Sequence, residues 1–158
     1  MSGAGGVLLR ASAAGETVRA MAAVTTEVVE EARQRHGTYP TATAALGRTL
    51  TAGLLLGATM KDEEGLSIEL VGDGPLRRVM VTTTGGGQVR GYVSRPATHL
   101  PSKNGKLDVA GAIGDQAVFV PVELFGIDRR LAVRGCFGEI RCVTGLTGGF
   151  GRGGFGRG

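Results

Sequence analysis

The run from Thr41 to Lys61, TATAALGRTLTAGLLLGATMK, constrains the fold most: it is the longest helix-compatible segment in the chain, and everything around it reads as shorter strands and turns. Leu46, Leu50, Leu54 and Ala58 recur at steps of four, while Leu56 and Met60 fall off that line, so apolar surface covers more than one face. That predicts a buried helix. Ala42, Ala45, Gly47, Gly53 and Gly57 leave little side chain on much of its surface, which lets a sheet or a second helix approach closely. A membrane span needs about 20 mainly apolar residues, and Arg48 with several threonines interrupts this run.

Around this helix the chain alternates short strands with glycine turns. Val7 to Ala11 and Thr17 to Ala22 flank Ala14-Gly15-Glu16, a strand-turn-strand arrangement in which Gly15 is free to take positive φ. Glu27 to His36 then reads as a short helix, with Thr25 or Thr26 as its cap, Gly37 at its end, and Val24, Val28 and Ala32 as its buried stripe. Glu31 and Arg35 make a favourable i,i+4 pair on its outside. Tyr39-Pro40 separates it from the long helix, because a residue before proline avoids the α region.

After the charged turn Asp62 to Gly65, Leu66, Ile68 and Leu70 alternate with Ser67, Glu69 and Val71. The turn Gly72-Asp73-Gly74-Pro75, a return strand carrying Val79 and Val81, the turn Gly85-Gly86-Gly87 and Val89 to Val93 complete an antiparallel meander. Lys103-Asn104-Gly105-Lys106 is a further exposed turn. The expected fold is α+β: an antiparallel sheet covered by the long buried helix, with the shorter helix and a preceding hairpin.

Charge divides the chain. The net charge of +4 comes wholly from one end: residues 1–128 carry 12 basic and 13 acidic side chains, and residues 129–158 carry 6 basic and 1 acidic. The body therefore has no general attraction to phosphate. The expected organisation is an α+β domain over 1–128 and a divergent basic segment over 129–158. Eight of the last 14 residues are glycine, so this end is expected to be a disordered tail. Phe150, Arg152, Phe155 and Arg157 within it define the alternative function, binding of RNA or another single-stranded nucleic acid by stacking and charge. In that reading, binding falls steeply with salt.

Residues for other chemistry are scarce. His36 and His99 have no carboxylate or cysteine at metal or triad spacing, and Cys136 and Cys142 are not followed by further zinc ligands. Two cysteines are too few for a disulfide scaffold, and the start of the chain carries no leader pattern, so a reducing cytoplasmic setting is expected. Gly149-x-Gly151-x-x-Gly154 spells a dinucleotide fingerprint but lacks the strand before it and the helix after it. Gly72-Asp73-Gly74-Pro75 opens a strand rather than a helix, so it reads as a turn and not as an anion cradle. No catalytic, cofactor-binding or metal residue is assigned, and no enzyme is expected.

Several ordered motifs, taken together, resemble a known family. Leu9-Arg10-Ala11 with Val18 to Ala23, Ala32-Arg33-Gln34-Arg35-His36-Gly37, Pro40 to Arg48, Gly72-Asp73-Gly74-Pro75-Leu76, Val89-Arg90-Gly91-Tyr92-Val93 and Gly105-Lys106-Leu107-Asp108-Val109 are similar to the redox-regulated heat-shock chaperones of the thirty-three-kilodalton class. The resemblance covers about residues 7–114, the front of that family's amino-terminal domain. It implies an ATP-independent holdase that binds unfolding or oxidatively damaged client proteins. The family's switch is a carboxy-terminal zinc domain with a C-x-C and a C-x-x-C pair. Cys136 and Cys142, the only thiols, do not match it. The resemblance thus implies a truncated member without zinc or another cofactor, and leaves open both its activity and a homodimer.

Overall fold

The computed structural model describes residues 6–62, 64–114 and 118–125. The chain opens with a hairpin, β1 (Val7–Ala13) and β2 (Val18–Val24), in register from Val7 opposite Val24 to Ala13 opposite Val18. Its turn is as expected: Gly15 has φ 63°, and Ala14 and Glu16 beside it are also positive. Two helices follow, α1 (Thr26–His36) and α2 (Pro40–Gly57). The meander β3 (Gly65–Val71), β4 (Arg78–Thr84) and β5 (Val89–Val93) comes next. A short helix α3 (Val109–Ile113) and a strand β6 (Val118–Phe125) complete the described chain. The main sheet has the order β5-β4-β3-β6, antiparallel throughout.

The long helix covers one face of this sheet. Leu46 and Leu50 are each 1 % exposed and join Ile68, Leu70, Val79 and Val81 in one apolar cluster. Its small residues explain how close the layers come. A methyl on Gly53 would lie 3.0 Å from Val81, one on Gly57 2.8 Å from the Thr83 hydroxyl, and one on Gly47 2.9 Å from Val29 of α1. Pro40 starts the helix at a position where its missing N–H is no loss. The helix stops at Gly57, short of the expected Lys61. From there Thr59 donates to Leu56 and Met60 to Gly57, the tighter pattern of a terminal turn. The chain at Lys61 is then pressed against the β4–β5 turn, where a methyl on Gly85 would sit 1.9 Å from the Lys61 carbonyl oxygen.

α1 departs from expectation at its start. Thr25 does not cap the helix with its side chain; its hydroxyl pairs with that of Thr51 on α2 at 2.7 Å. Val28 and Ala32 pack against the core as anticipated, but Val24 belongs to β2 and is 61 % exposed. Val29 takes the contact with α2 instead. Gly37 ends the helix in the left-handed conformation, at φ 59°.

The outer face of α1 carries the expected Glu31–Arg35 pair and a second, Glu30 with Arg33. Arg33 donates to both Glu30 oxygens, at 2.8 and 2.6 Å, and Gln34 adds a third bond at 2.8 Å. The Arg33 bonds, then the Gln34 bond, hold the Glu30 carboxyl at about 2 instead of 4.5. A lowered carboxyl contributes its stabilisation in full above its unfolded value and loses it as pH falls towards about 2. The group is fully exposed, so the effect on stability is small. A side-chain NMR titration of Glu30 should show a midpoint near 2; a midpoint at the ordinary value of 4.5 would mean that the fork does not persist in solution.

Two elements had no counterpart in the sequence reading. α3 is five residues long, capped by the Asp108 carboxylate, which accepts from the Gly111 amide at 2.9 Å. The turn Gly72 to Pro75 is seated against it: the Gly74 and Leu76 amides each donate at 2.8 Å, to the carbonyls of Ile113 and Ala112. The Gly72 amide donates to Arg77 at 2.9 Å, so this turn is a structural joint, not an anion cradle. β6 lies against β3, with Pro121 opposite Ile68. It is the edge of the described sheet, where a strand tolerates proline.

Candidate interaction surface

His99 is structural. His99 Nδ1 lies 3.0 Å from the Thr41 hydroxyl, which also accepts from the Leu100 amide at 3.2 Å and so ties the loop after β5 to the first turn of α2. His36 is exposed at the last turn of α1. Among the described residues no group of three or more His, Cys, Asp or Glu could hold a metal ion. Cys136, Cys142 and the Gly/Arg/Phe tail lie outside the described residues. Among those described, no helix is long and apolar enough to cross a membrane.

What stands out instead is the hairpin. In an antiparallel pair, residues opposite one another share a face, and faces alternate along each strand. Leu8 with Ala23, Arg10 with Met21 and Ser12 with Arg19 form one face, which is mixed in character. Val7 with Val24, Leu9 with Ala22, Ala11 with Ala20 and Ala13 with Val18 form the other, which is wholly apolar. All eight of these residues are exposed, Leu9 at 64 % and Val18 at 56 %. Such a pattern belongs to a strand that buries one face, yet nothing in the described chain covers this one. Seven residues per strand and two strands make a patch of roughly 23 Å by 10 Å. The alternation is visible in the sequence, but alanine at half the positions mutes it.

Beside the hairpin runs a groove of about 600 Å³, bounded by the base of the hairpin, α1, the end of α2 and the β4–β5 turn. Leu8, Val24, Val28, Leu54, Ala58 and Val89 give it apolar walls. Arg10 stands on the hairpin wall and Asp62 on the turn wall, both exposed. Glu31 also reaches the groove, but it is engaged with Arg35. On the opposite face of the sheet, Arg78 Nε approaches Glu69 Oε1 at 2.7 Å, an ion pair whose angle falls short of a hydrogen bond.

Among the described residues, the conspicuous surface of this α+β domain is the apolar, uncovered face of the hairpin. The known proteins it matches agree on one family. The family model described as Hsp33 protein matches residues 6–128, further than the motifs alone had reached, and the chain belongs to that family. A 33 kDa chaperonin of Desulforamulus reducens is 51 % identical over 118 residues, covering 74 % of this chain and 40 % of the relative. One from Symbiobacterium thermophilum is 48 % identical over 141 residues, covering 87 % and 45 %. The crystal structure of a 33 kDa chaperonin from Thermotoga maritima superposes with a TM-score of 0.71 at 36 % identity, over 80 % of this chain and 43 % of that one. The chain thus spans less than half the length of the relatives it matches.

Proposed function

We propose that this chain is an ATP-independent holdase of the cytoplasm, which binds unfolding or oxidatively damaged proteins without chemistry. The observation that carries this reading is the exposed apolar face of the β1–β2 hairpin. Unfolding proteins expose apolar segments, and a contiguous uncovered apolar patch is where such segments lose water. As an interface between two copies, the patch alone falls well below the about 1,000 Å² that a stable interface buries. That size suits weak, reversible capture instead.

The test is suppression of aggregation of a thermally unfolding enzyme, with an inert protein at equal mass as control. Leu9→Ser combined with Val18→Ser should weaken suppression about fivefold, the equivalent of about 1 kcal/mol of lost contact. Both residues are more than half exposed, so the fold should be unaffected. Unchanged suppression by a folded double variant would refute the hairpin as the capture surface.

The second part of the proposal is that capture is constitutive, with no zinc redox switch. Cys136 and Cys142 could form at most one bridge closing a short loop, which leaves the hairpin and sheet unaltered. Peroxide should therefore not raise activity, and Cys136→Ser with Cys142→Ser should behave like the parent. Zinc near one per chain, or protection that appears only after oxidation and reverses with reductant, would overturn it.

A further inference from the structure

The groove beside the hairpin meets its apolar face at Val7 and Val24 and extends away from it, and its chemistry is more specific. Its walls come from five separate elements, with Leu8 from β1, Val24 from β2, Val28 from α1, Leu54 from α2 and Val89 from β5, and Ala58 lies just past the end of α2. Val28 and Val89 also pack against the core, so a side chain entering the groove would touch the edge of that core. A volume of about 600 Å³ lies within the range of cavities that enclose a ligand. In the Gly85-Gly86-Gly87 turn on one side, the Gly85 and Gly87 amides already donate to the Glu64 and Thr84 carbonyls, while a methyl on Gly86 would meet nothing nearer than 3.8 Å. The room beside Gly86 admits an extended polypeptide.

Charge narrows the occupant. Arg10 comes from β1 and Asp62 from the segment after α2, one positive and one negative, in a lining that is otherwise mainly apolar apart from Glu31, which is paired with Arg35. We infer that the groove takes an extended client segment in which an apolar cluster is bracketed by an acidic residue, placed at Arg10, and a basic residue, placed at Asp62. The inference rests on the chaperone reading and names the class of segment it selects. Segments with unpaired or reversed charges meet like charge at one wall or both, and like charges across an interface are penalised.

The experiment uses the full chain and two short fluorescein-labelled peptides, read by anisotropy. One carries Leu-Val-Leu between a glutamate and a lysine; the other has both flanks as glutamate. The parent should bind the first about fivefold more tightly than the second, the effect of one exposed charge pair of about 1 kcal/mol. Asp62→Lys should reverse this preference, and Arg10→Glu should weaken both peptides. Circular dichroism confirms folding, which these exposed positions should not disturb. Equal affinity for both peptides in the parent, or no reversal in Asp62→Lys, overturns the inference. That failure is separable from failure of the chaperone reading, because aggregation suppression by the parent and by the Leu9→Ser, Val18→Ser variant is scored independently.

Discussion

Leu50→Asp should unfold the domain. Leu50 is 1 % exposed in the middle of the α2 face that meets β3 and β4, packed in the same cluster as Leu46, Ile68 and Val81. An unpaired carboxylate there either loses its hydration or takes up a proton at a cost. Either outcome amounts to several kcal/mol out of the ~5–15 that hold a domain together. Thr59→Ala is the control. Thr59 is exposed just past the helix end, where its hydroxyl donates to the Leu56 carbonyl at 2.7 Å, a bond worth about 1 kcal/mol net. Circular dichroism melts should show a cooperative transition for Thr59→Ala near that of the parent and none for Leu50→Asp. Equal melting temperatures would show that α2 does not pack on the sheet through this face.

Gly72→Ala should be strongly destabilising for the addition of a single methyl. Its Cβ would lie 2.0 Å from the carbonyl oxygen of Ile113 and 2.9 Å from the carbonyl carbon, and neither atom can turn aside as a side-chain end can. The joint between the Gly72–Pro75 turn and α3 would have to open, breaking the 2.8 Å bonds from Gly74 and Leu76. Overpacking of this kind costs about 1–3 kcal/mol, and the lost hydrogen bonds add to it. Gly86→Ala makes the comparison, since its new methyl has open space and its backbone needs no positive φ. The denaturant midpoint should fall for Gly72→Ala and stay within about 0.5 kcal/mol of the parent for Gly86→Ala. Matching midpoints would mean that the turn is not seated on α3.

Why some elements were legible and others were not follows from their periodicity. α2 has eighteen residues and repeated leucines, so its burial survives an error of four residues at one end. β4 alternates cleanly because Val79, Val81 and Thr83 lie on the face that meets α2, while β3 keeps Ile68 and Leu70 on that face but also buries Ser67 on the other. β6 gives no such signal. Val118 to Phe125, VFVPVELF, is apolar at nearly every position and contains proline, and both features argue against a half-buried strand when read locally. Only its pairing with β3 establishes it, which is a tertiary fact. α3 is too short to show a helical period at all. The candidate surface was half legible. The hairpin and its turn were evident, but that its apolar face is uncovered depends on what the rest of the described chain does not reach. The groove could not be read because its walls lie far apart in sequence, from Val24 to Val89.

The hairpin also divides the molecule in time. Two strands without a third are marginal alone, and among the described residues β1 and β2 pair only with each other, while β3, β4, β5 and β6 share one continuous ladder backed by α2. The two sheets need not open together. Amide hydrogens of Leu8 to Val24 should exchange with solvent through a local opening that denaturant scarcely accelerates, whereas those of Ile68 and Val81 should exchange only when the whole domain unfolds. A capture surface on the loosest part of a protein can flex to fit many shapes while the scaffold beneath it stays folded.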